Sequence, residues 1–395
     1  MTSPRVLYLC GWPMGAHGEG AVSFVYEQID ALSRNVLAAY AEHCFEGITT
    51  WTRRWATGRD VESITDLWPA PVAAARFWTP RWSPRLTKRD LLDDVWNAGE
   101  MVGDRATRLF GPIDIVHAHV VLPAGLLGAA VAQSLQVPLV VQEHSGPFSM
   151  HLDTESKRAA VNKTLRAATV VCAVGDELAM RIEAQREAQD VRVVPNLVRT
   201  ELFATAAVPH DRSCLRLVSV GSLEKIKELD VLIDAVSMLE RSGMRIELRI
   251  VGAGTLRDTL SAHLARLGID PTITLLGARS RAETARIVAE SHIYVCSSSH
   301  ETFGIAPAEA LSVGRPVVST RCGGPEHFVD DSCGALVEPG DARAMADAIA
   351  QTWKCIDTFA PAQMHARIDE RFGPDAFRRR MLALYEEVRS ARVAA

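Results

Sequence analysis

Short apolar runs alternate with longer amphipathic stretches along the whole chain, and few folds accommodate that alternation. In the first half VLYLC precedes AVSFVYEQIDALSR, where Val22, Val25, Ile29 and Leu32 recur at helical spacing. IDIVHAH, PLVVQEH, TVVCAVG and VRVVPN follow, each separated from the next by a helix-like stretch. The second half repeats the scheme with LRLVSVGS, RIELRIVG, TITLLG, HIYVCS and PVVST. Strands that are apolar almost throughout, rather than at every second residue, belong to parallel sheets buried on both faces by helices. The fold class read from this is α/β.

At 395 residues the chain exceeds one ordinary core, so two domains are expected. A connector is read at residues 204–213, ATAAVPHDRS, which is polar, holds a Pro and separates two complete alternating series. The expected division is residues 1–205 for the first domain and 206–375 for the second. The last stretch, 376–395, is expected to be a helix that packs back on the first domain. In open parallel sheets ligands bind beyond the carboxyl ends of the strands, so the residues after each strand are the candidates for function.

A net charge of −5 argues against a nucleic-acid partner. No apolar run reaches membrane-spanning length, and the opening MTSPRVLYLC is too short for a signal-peptide core. The expected location is the cytoplasm, with peripheral contact at the inner face of the membrane left open. The eight cysteines, Cys10, Cys44, Cys172, Cys214, Cys296, Cys322, Cys333 and Cys355, include no C-x-x-C pair. Neither a zinc site nor a redox motif is therefore indicated, and small buried thiols are the plain reading.

One segment departs from the alternation. Residues 51–89 carry Trp51, Trp55, Trp68, Trp78 and Trp82 interleaved with Arg53, Arg54, Arg76, Arg81, Arg85 and Lys88, with several prolines. It reads as a long excursion on the first domain. A loop packed on its own aromatics is one account; a docking surface for an acceptor or a membrane interface is the other, since Trp and Arg suit wet apolar boundaries.

The stretch richest in chemistry is HIYVCSSSHETFGIAPAEALSVGRPVVSTRCGG, residues 292–324. A strand ends near Cys296, small polar residues turn the chain, and Glu301 and Phe303-Gly304 follow. A helix is expected from about Ala306, with Pro307 in its first turn, where a missing N–H costs nothing. The backbone N–H groups of Gly304, Ile305 and Ala306 would face outward from the helix start and favour an anion such as a diphosphate. Glu301 and Glu309 flank that anion site and suit hydroxyls of a ribose or hexose. Taken alone, Glu309 could equally complement the helix dipole, and Glu301 could be a solvated loop residue.

Glu301 and Glu309 enclose seven residues, with Phe-Gly after the first and Ala-Leu and Gly-x-Pro-Val-Val after the second. This pattern resembles the retaining glycosyltransferases of family four. The resemblance implies the GT-B fold, two Rossmann-like parallel-sheet domains facing a cleft, and spans nearly the whole chain, more specifically in the second half. VSVGSLEKIKELDVLIDAV resembles the family's donor-phosphate loop, with Lys227 at the position of its phosphate-binding lysine and Ser222 where the family carries Arg. TITLLGAR is similar to the segment lining the nucleobase pocket, which makes Ala278 and Arg279 candidates there. LRIVGAGTLRDTL resembles a Gly-x-Gly turn, CGGPEHF the family's Gly-Gly turn at Gly323 and Gly324, and VVPNLVRTELF its Pro-Asn-Gly-Val segment with Leu197 in place of Gly.

In the first domain GWPMGAHGEGAVSFV resembles the family's glycine loop, where Gly20 opens a helix. DIVHAH sets His117 and His119 at a strand end, and His119 matches the family's active-site histidine. PLVVQEH supplies Glu143 and His144 as acceptor-side residues, with Trp78, Arg81 and Trp82 as further acceptor-side candidates.

The resemblance implies a nucleotide-sugar donor, UDP- or GDP-linked, and a saccharide, lipid-linked or small-molecule acceptor in glycan, polysaccharide or glycolipid biosynthesis. It implies retention of configuration by front-face attack, without a metal or other cofactor. Glu301, His119 and Lys227 are the expected catalytic residues. Gly20, Ser222, Lys227, Ala278, Arg279, Glu301, Phe303, Gly304, Ile305, Ala306 and Glu309 are expected to bind the donor. Two other readings stay open: an epimerase or hydrolase of the same fold, and a non-catalytic subunit that binds a sugar nucleotide. A nicotinamide dehydrogenase is disfavoured, because no Gly-x-Gly-x-x-Gly follows the first strand.

Overall fold

A computed structural model describes residues 3–10, 23–33, 37–47, 61–63, 73–81, 88–185, 191–269 and 272–394. The chain forms two units, Met1–Pro195 with Phe377–Ala395, and Asn196–Ala376. Each is built on one sheet.

The first unit's strands are β1 (Arg5–Cys10), β2 (Leu37–Gly47), β3 (Val61–Ser63), β4 (Ala73–Arg81), β5 (Ile115–His119), β6 (Leu139–Glu143), β7 (Val170–Ala173) and β8 (Val191–Val193). They lie in the order β3-β4-β2-β1-β5-β6-β7-β8. Every pairing is parallel except β3 with β4, which is antiparallel. Val6, Leu7, Tyr8 and Leu9 are buried in succession, which places β1 under cover on both faces. The helix Leu126–Leu135 lies close against this sheet because Gly128 has no side chain: a Cβ there would stand 3.1 Å from Ala118 Cβ.

The segment 51–89 is not wholly an excursion. Residues 73–81 form β4, which pairs with β2 from Ala39↔Ala73 to Gly47↔Arg81. Pro80 is tolerated because β3 pairs only with Ala75–Phe77 of β4, so that no described strand asks Pro80 for an N–H on that side. Interleaved Trp, Arg and Pro hide the strand period in the sequence.

In the second unit the strands are β9 (Leu215–Val220), β10 (Ile246–Val251), β11 (Ile273–Gly277), β12 (Ile293–Cys296), β13 (Val317–Thr320) and β14 (Gly334–Val337), ordered β11-β10-β9-β12-β13-β14. All five pairings are parallel. Its core brings Leu217, Ile233, Leu248, Ile293, Val295 and Val318 together with Met345 and Ile349.

Helix starts follow local chemistry. Thr154 and Asp341 cap the helices Glu155–Ala167 and Ala342–Lys354 through their side chains. Ser280 and Glu283 form a reciprocal capping box at the helix Arg281–Ala289.

The stretch read as a connector is held by the second unit. Arg315, fully buried, donates to the carbonyls of Ala206, Ala207 and Ala289, and Ser312 Oγ donates to Phe203 O at 2.7 Å. The first unit in turn includes the final segment of the chain. Phe377, Met381 and Tyr385 are buried, and Arg378 Nε donates to Ala31 O at 3.1 Å. Among the described residues no helix is long and apolar enough to cross a membrane.

Candidate functional site

In each sheet the strand order reverses at one place: between β1 and β5 in the first, and between β9 and β12 in the second. At such a reversal in an open parallel sheet the flanking helices diverge, and ligands bind past the strand ends. The residues that follow these four strands include most of those picked out by the motifs.

In the second unit Lys227 follows β9 and Glu301 follows β12. Lys227 Nζ donates to Glu301 Oε1 at 2.5 Å, with the two side chains 22% and 16% exposed. Burial works against the charge on Lys227, but the adjacent Glu301 carboxylate outweighs it and holds the lysine above its ordinary pKa. Ser298 Oγ donates to the same Oε1 at 2.8 Å, and Glu301 N donates to Cys322 O at 2.7 Å. The charged pair is therefore fixed by its side chains and its backbone alike. Ser222, on the loop behind Lys227, is exposed, and Gly221 before it faces the Lys227 stem.

The turn after Glu301 depends on two glycines. Gly304 has φ +84° and caps the helix Ile305–Val313. Gly324 donates to Glu301 O at 2.8 Å, and a Cβ on it would overlap the backbone of Phe303. Phe303 is buried against Phe328 and Phe372. The helix starts at Ile305, one residue earlier than expected. Its first intrahelical bond is Ala308 N to Gly304 O, which leaves the N–H groups of Ile305 and Ala306 at the open end.

Glu309 is 2% exposed and meets the guanidinium of Arg281, whose Nη1 lies 3.1 Å from Oε2 while Nη2 donates to Oε1. Arg281 also lies over the ring of Phe203, 4.9 Å from its centroid. Ala278 and Arg279 are exposed on the loop that leads to Arg281, and Arg279 Nη1 donates to Ala278 O at 2.9 Å. Sequence reasoning passed over Arg281. The signal available was its place directly after Ser280 in the S-x-x-E pattern, which fixes where that helix begins.

In the first unit three histidines gather at the ends of β5 and β6. His119 Nδ1 and His144 Nε2 are 2.9 Å apart, and the His117 and His119 rings stack with centroids 4.5 Å apart. His117 Nδ1 lies 2.7 Å from Tyr385 Oη, which donates in turn to Tyr8 Oη at 3.1 Å. Burial, reinforced by His144, pushes His117 down to about 3. Burial and then the charges of His117 and His144 hold His119 well below its ordinary value, so both rings are neutral near pH 7. The Nε2 atoms of His117 and His119 are buried without a hydrogen-bond partner. Glu143 accepts from the backbone N–H groups of Val121, His144 and Ser145 at 2.6, 2.9 and 2.7 Å, and so organises the turn that carries His144. Tyr8 and Tyr385 are members of this cluster that no motif marked.

Gly20 and Trp82 lie outside the described residues. Trp78 and Arg81 lie in β4, opposite Cys44 and Gly47 of β2. Among the described residues no group of three or more His, Cys, Asp or Glu is placed to hold a metal ion.

Residues 52–202 match the family model described as Glycosyltransferase Family 4, and residues 214–354 the one described as Glycosyl transferases group 1. The chain is 29% identical over 300 residues to a D-inositol 3-phosphate glycosyltransferase of Nocardioides, covering 67% of this chain and 65% of that protein. It is 32% identical over 169 residues to the lipopolysaccharide core biosynthesis glycosyltransferase LpsE of Rhizobium meliloti, covering 41% of this chain and 47% of that one. These matches span less than two thirds of either relative. The fold is shared with Anabaena HepE, solved in complex with UDP and glucose, at TM-score 0.73 and 18% identity over 97% of this chain and 99% of that one. It is likewise shared with the sucrose-phosphate synthase of Thermosynechococcus elongatus, at TM-score 0.76 and 18% identity over 98% and 100%.

Proposed function

Because the chain belongs to the group 1, family 4 glycosyltransferases, we propose that it moves a sugar from a nucleotide-sugar donor to an acceptor in glycan biosynthesis. The observation that carries this is the Lys227–Glu301 pair set at a helix start with Glu309 one turn behind it. Such a site offers an ammonium and outward-facing amides to a diphosphate, and carboxylates to the hydroxyls of the attached sugars.

In this reading Lys227 and the amides of Ile305 and Ala306 stabilise the departing nucleoside diphosphate, with Phe303 and Gly304 shaping the turn. Glu301 orients the donor sugar, Glu309 holds the ribose, and Ala278 and Arg279 border the base. Gly20 and Ser222 complete the donor site. His119, neutral and with Nε2 unpartnered, hydrogen-bonds a hydroxyl of the transferred sugar. Configuration is retained: the acceptor attacks from the face the diphosphate leaves, and a phosphate oxygen takes the acceptor's proton. The protein contributes position and electrostatic stabilisation, and no metal takes part.

UDP-linked donors come first, supported by the HepE neighbour, which was solved with UDP-glucose. The acceptor is a saccharide, a lipid-linked saccharide or a small molecule. Glu143 and His144 belong to its side of the site, and Trp78, Arg81 and Trp82 guide it or touch the membrane surface.

Thermal unfolding in the presence of UDP, GDP and their glucose conjugates tests the donor, since a true donor stabilises the folded state by mass action. Glu309→Ala should weaken nucleotide binding, whereas Glu301→Ala should lower turnover more than affinity. Wild-type transfer by both variants would remove the assignment. Donor turnover without any acceptor would favour the epimerase or hydrolase, and binding without turnover the non-catalytic subunit. The anomeric coupling of the product decides retention, and unchanged rates in chelator are expected.

A further inference from the structure

His117 has no part in the chemistry described so far, yet three elements converge on it. The parallel register sets it opposite Tyr8 of β1, as it sets His119 opposite Cys10. Tyr385, on the final helix Pro374–Ala394, meets both partners: its Oη lies 2.7 Å from His117 Nδ1 and 3.1 Å from Tyr8 Oη. Tyr8, His117, His119 and Tyr385 are each no more than 1% exposed. His117 and His119 stand two residues apart on β5, so their side chains share one face. Their rings stack with centroids 4.5 Å apart and planes 25° apart. In a close-packed interior the His119 ring turns only if His117 gives way. A phenylalanine at 117 would fill the same face without stranding Nε2, but no hydroxyl could hold it.

We propose that Tyr385 is a positioning residue of the donor site: it anchors His117 through Nδ1, and the anchored ring holds His119 at the angle that presents Nε2 to the transferred sugar. The part played by His119 rests on the reading given under Proposed function. The hydrogen-bond chain also fixes where the protons lie. Burial raises both phenols above their ordinary value, so each keeps its single proton near pH 7. Tyr385 donates its proton to Tyr8, and its oxygen therefore accepts from His117 Nδ1–H. His117 is thereby held as the Nδ1–H tautomer, with a bare Nε2 that has no hydrogen-bond partner. The two tyrosines and the histidine thus form one directed chain, His117 to Tyr385 to Tyr8, behind the ring that meets the sugar.

The test compares the wild type, Tyr385→Phe and Tyr8→Phe as full-length proteins. Nitrogen NMR of histidine-labelled protein reads the tautomers, with the His117 signal assigned by its loss in His117→Gln. Calorimetry titrates UDP, UDP-glucose, GDP and GDP-glucose. The wild type should show His117 as Nδ1–H alone. Tyr8→Phe removes the acceptor of the Tyr385 proton, so the hydroxyl turns to Nδ1 and His117 changes to Nε2–H. The anchor persists in that variant, and its affinity for the glucose conjugate should hold. Tyr385→Phe removes the anchor. Its affinity for the bare diphosphate should hold, while that for the glucose conjugate falls about fivefold, the worth of one hydrogen bond. A wild-type His117 found as Nε2–H overturns the proposal. An equal loss of diphosphate and conjugate in Tyr385→Phe does so too, since that pattern belongs to a general loosening of the fold, as does no loss at all. Should Tyr385→Phe fail to fold, the wild-type spectrum and the tautomer change in Tyr8→Phe decide. Should the wild type bind no nucleotide, the donor-site reading fails on that result, and the spectra alone decide whether Tyr385 anchors His117.

Discussion

Arg281, the first residue of its helix, closes a two-pronged contact on the carboxylate of Glu309, twenty-eight positions further along the chain. Glu309 is almost wholly buried, so its charge needs a partner there. Arg281→Ala should cost about 3 kcal/mol, the lower end for stranding a buried charge, because the guanidinium itself is 31% exposed. Arg281→Lys should recover only part of the loss, since an ammonium cannot make the parallel pair of bonds. Urea unfolding of the three proteins checks both. Equal midpoints for all of them would mean that the pair contributes nothing.

The second prediction concerns Lys227. Its ammonium faces the Glu301 carboxylate and, on the reading above, a diphosphate during turnover. Lys227→Ala should lower turnover about 10²–10³-fold, the usual effect of removing one group that stabilises developing charge. Steady-state kinetics on the preferred donor would show it mainly in kcat. A change confined to KM would assign the lysine to ground-state binding alone.

Gly304 is held at φ +84°, and a Cβ there would stand 3.0 Å from Pro325 Cγ. Gly304→Ala should destabilise by about 1–2 kcal/mol through the left-handed backbone alone. It should also shift the helix start that presents Ile305 and Ala306. Thermal unfolding with and without nucleotide separates the two effects: a lower Tm for the free protein together with a smaller nucleotide-induced rise is expected.

Acid should weaken the first unit through its histidines. An unfolded histidine titrates near about 6.5, while His117 in the fold is pushed down to about 3 and His119 is also lowered. Below the unfolded value the unfolded chain binds more protons, so the stability these groups supply is complete above about pH 6.5 and declines as pH falls toward 3. Each fully buried histidine contributes a slope of up to about 1.4 kcal/mol per pH unit in that window. His117→Gln should flatten the decline of Tm between pH 6 and pH 4. An unchanged slope would place the acid sensitivity elsewhere.

Local relationships were legible in the sequence and distant ones were not. Glu301 and Glu309 belong to one strand-turn-helix passage, so spacing alone places them on either side of a helix start. Alternating apolar runs likewise announce parallel sheets, because strands buried on both faces leave no polar phase. The Arg281 contact with Glu309 bridges two helices, and Tyr385 reaches His117 across 268 positions, for which no periodicity exists. β4 escaped for another reason: near the sheet edge it can hold Arg76, Trp78, Pro80 and Arg81 without breaking its pairing with β2.

The first unit owns both ends of the described chain, whereas the second is read from one unbroken stretch. During synthesis the second can therefore finish folding while the first still lacks Phe377, Met381 and Tyr385. A nascent chain released before those residues would leave Tyr8 and His117 uncovered, an open apolar flank that chaperones would recognise. Stop codons placed just short of Phe377 should thus be read out as aggregation of the older half, with the younger half intact.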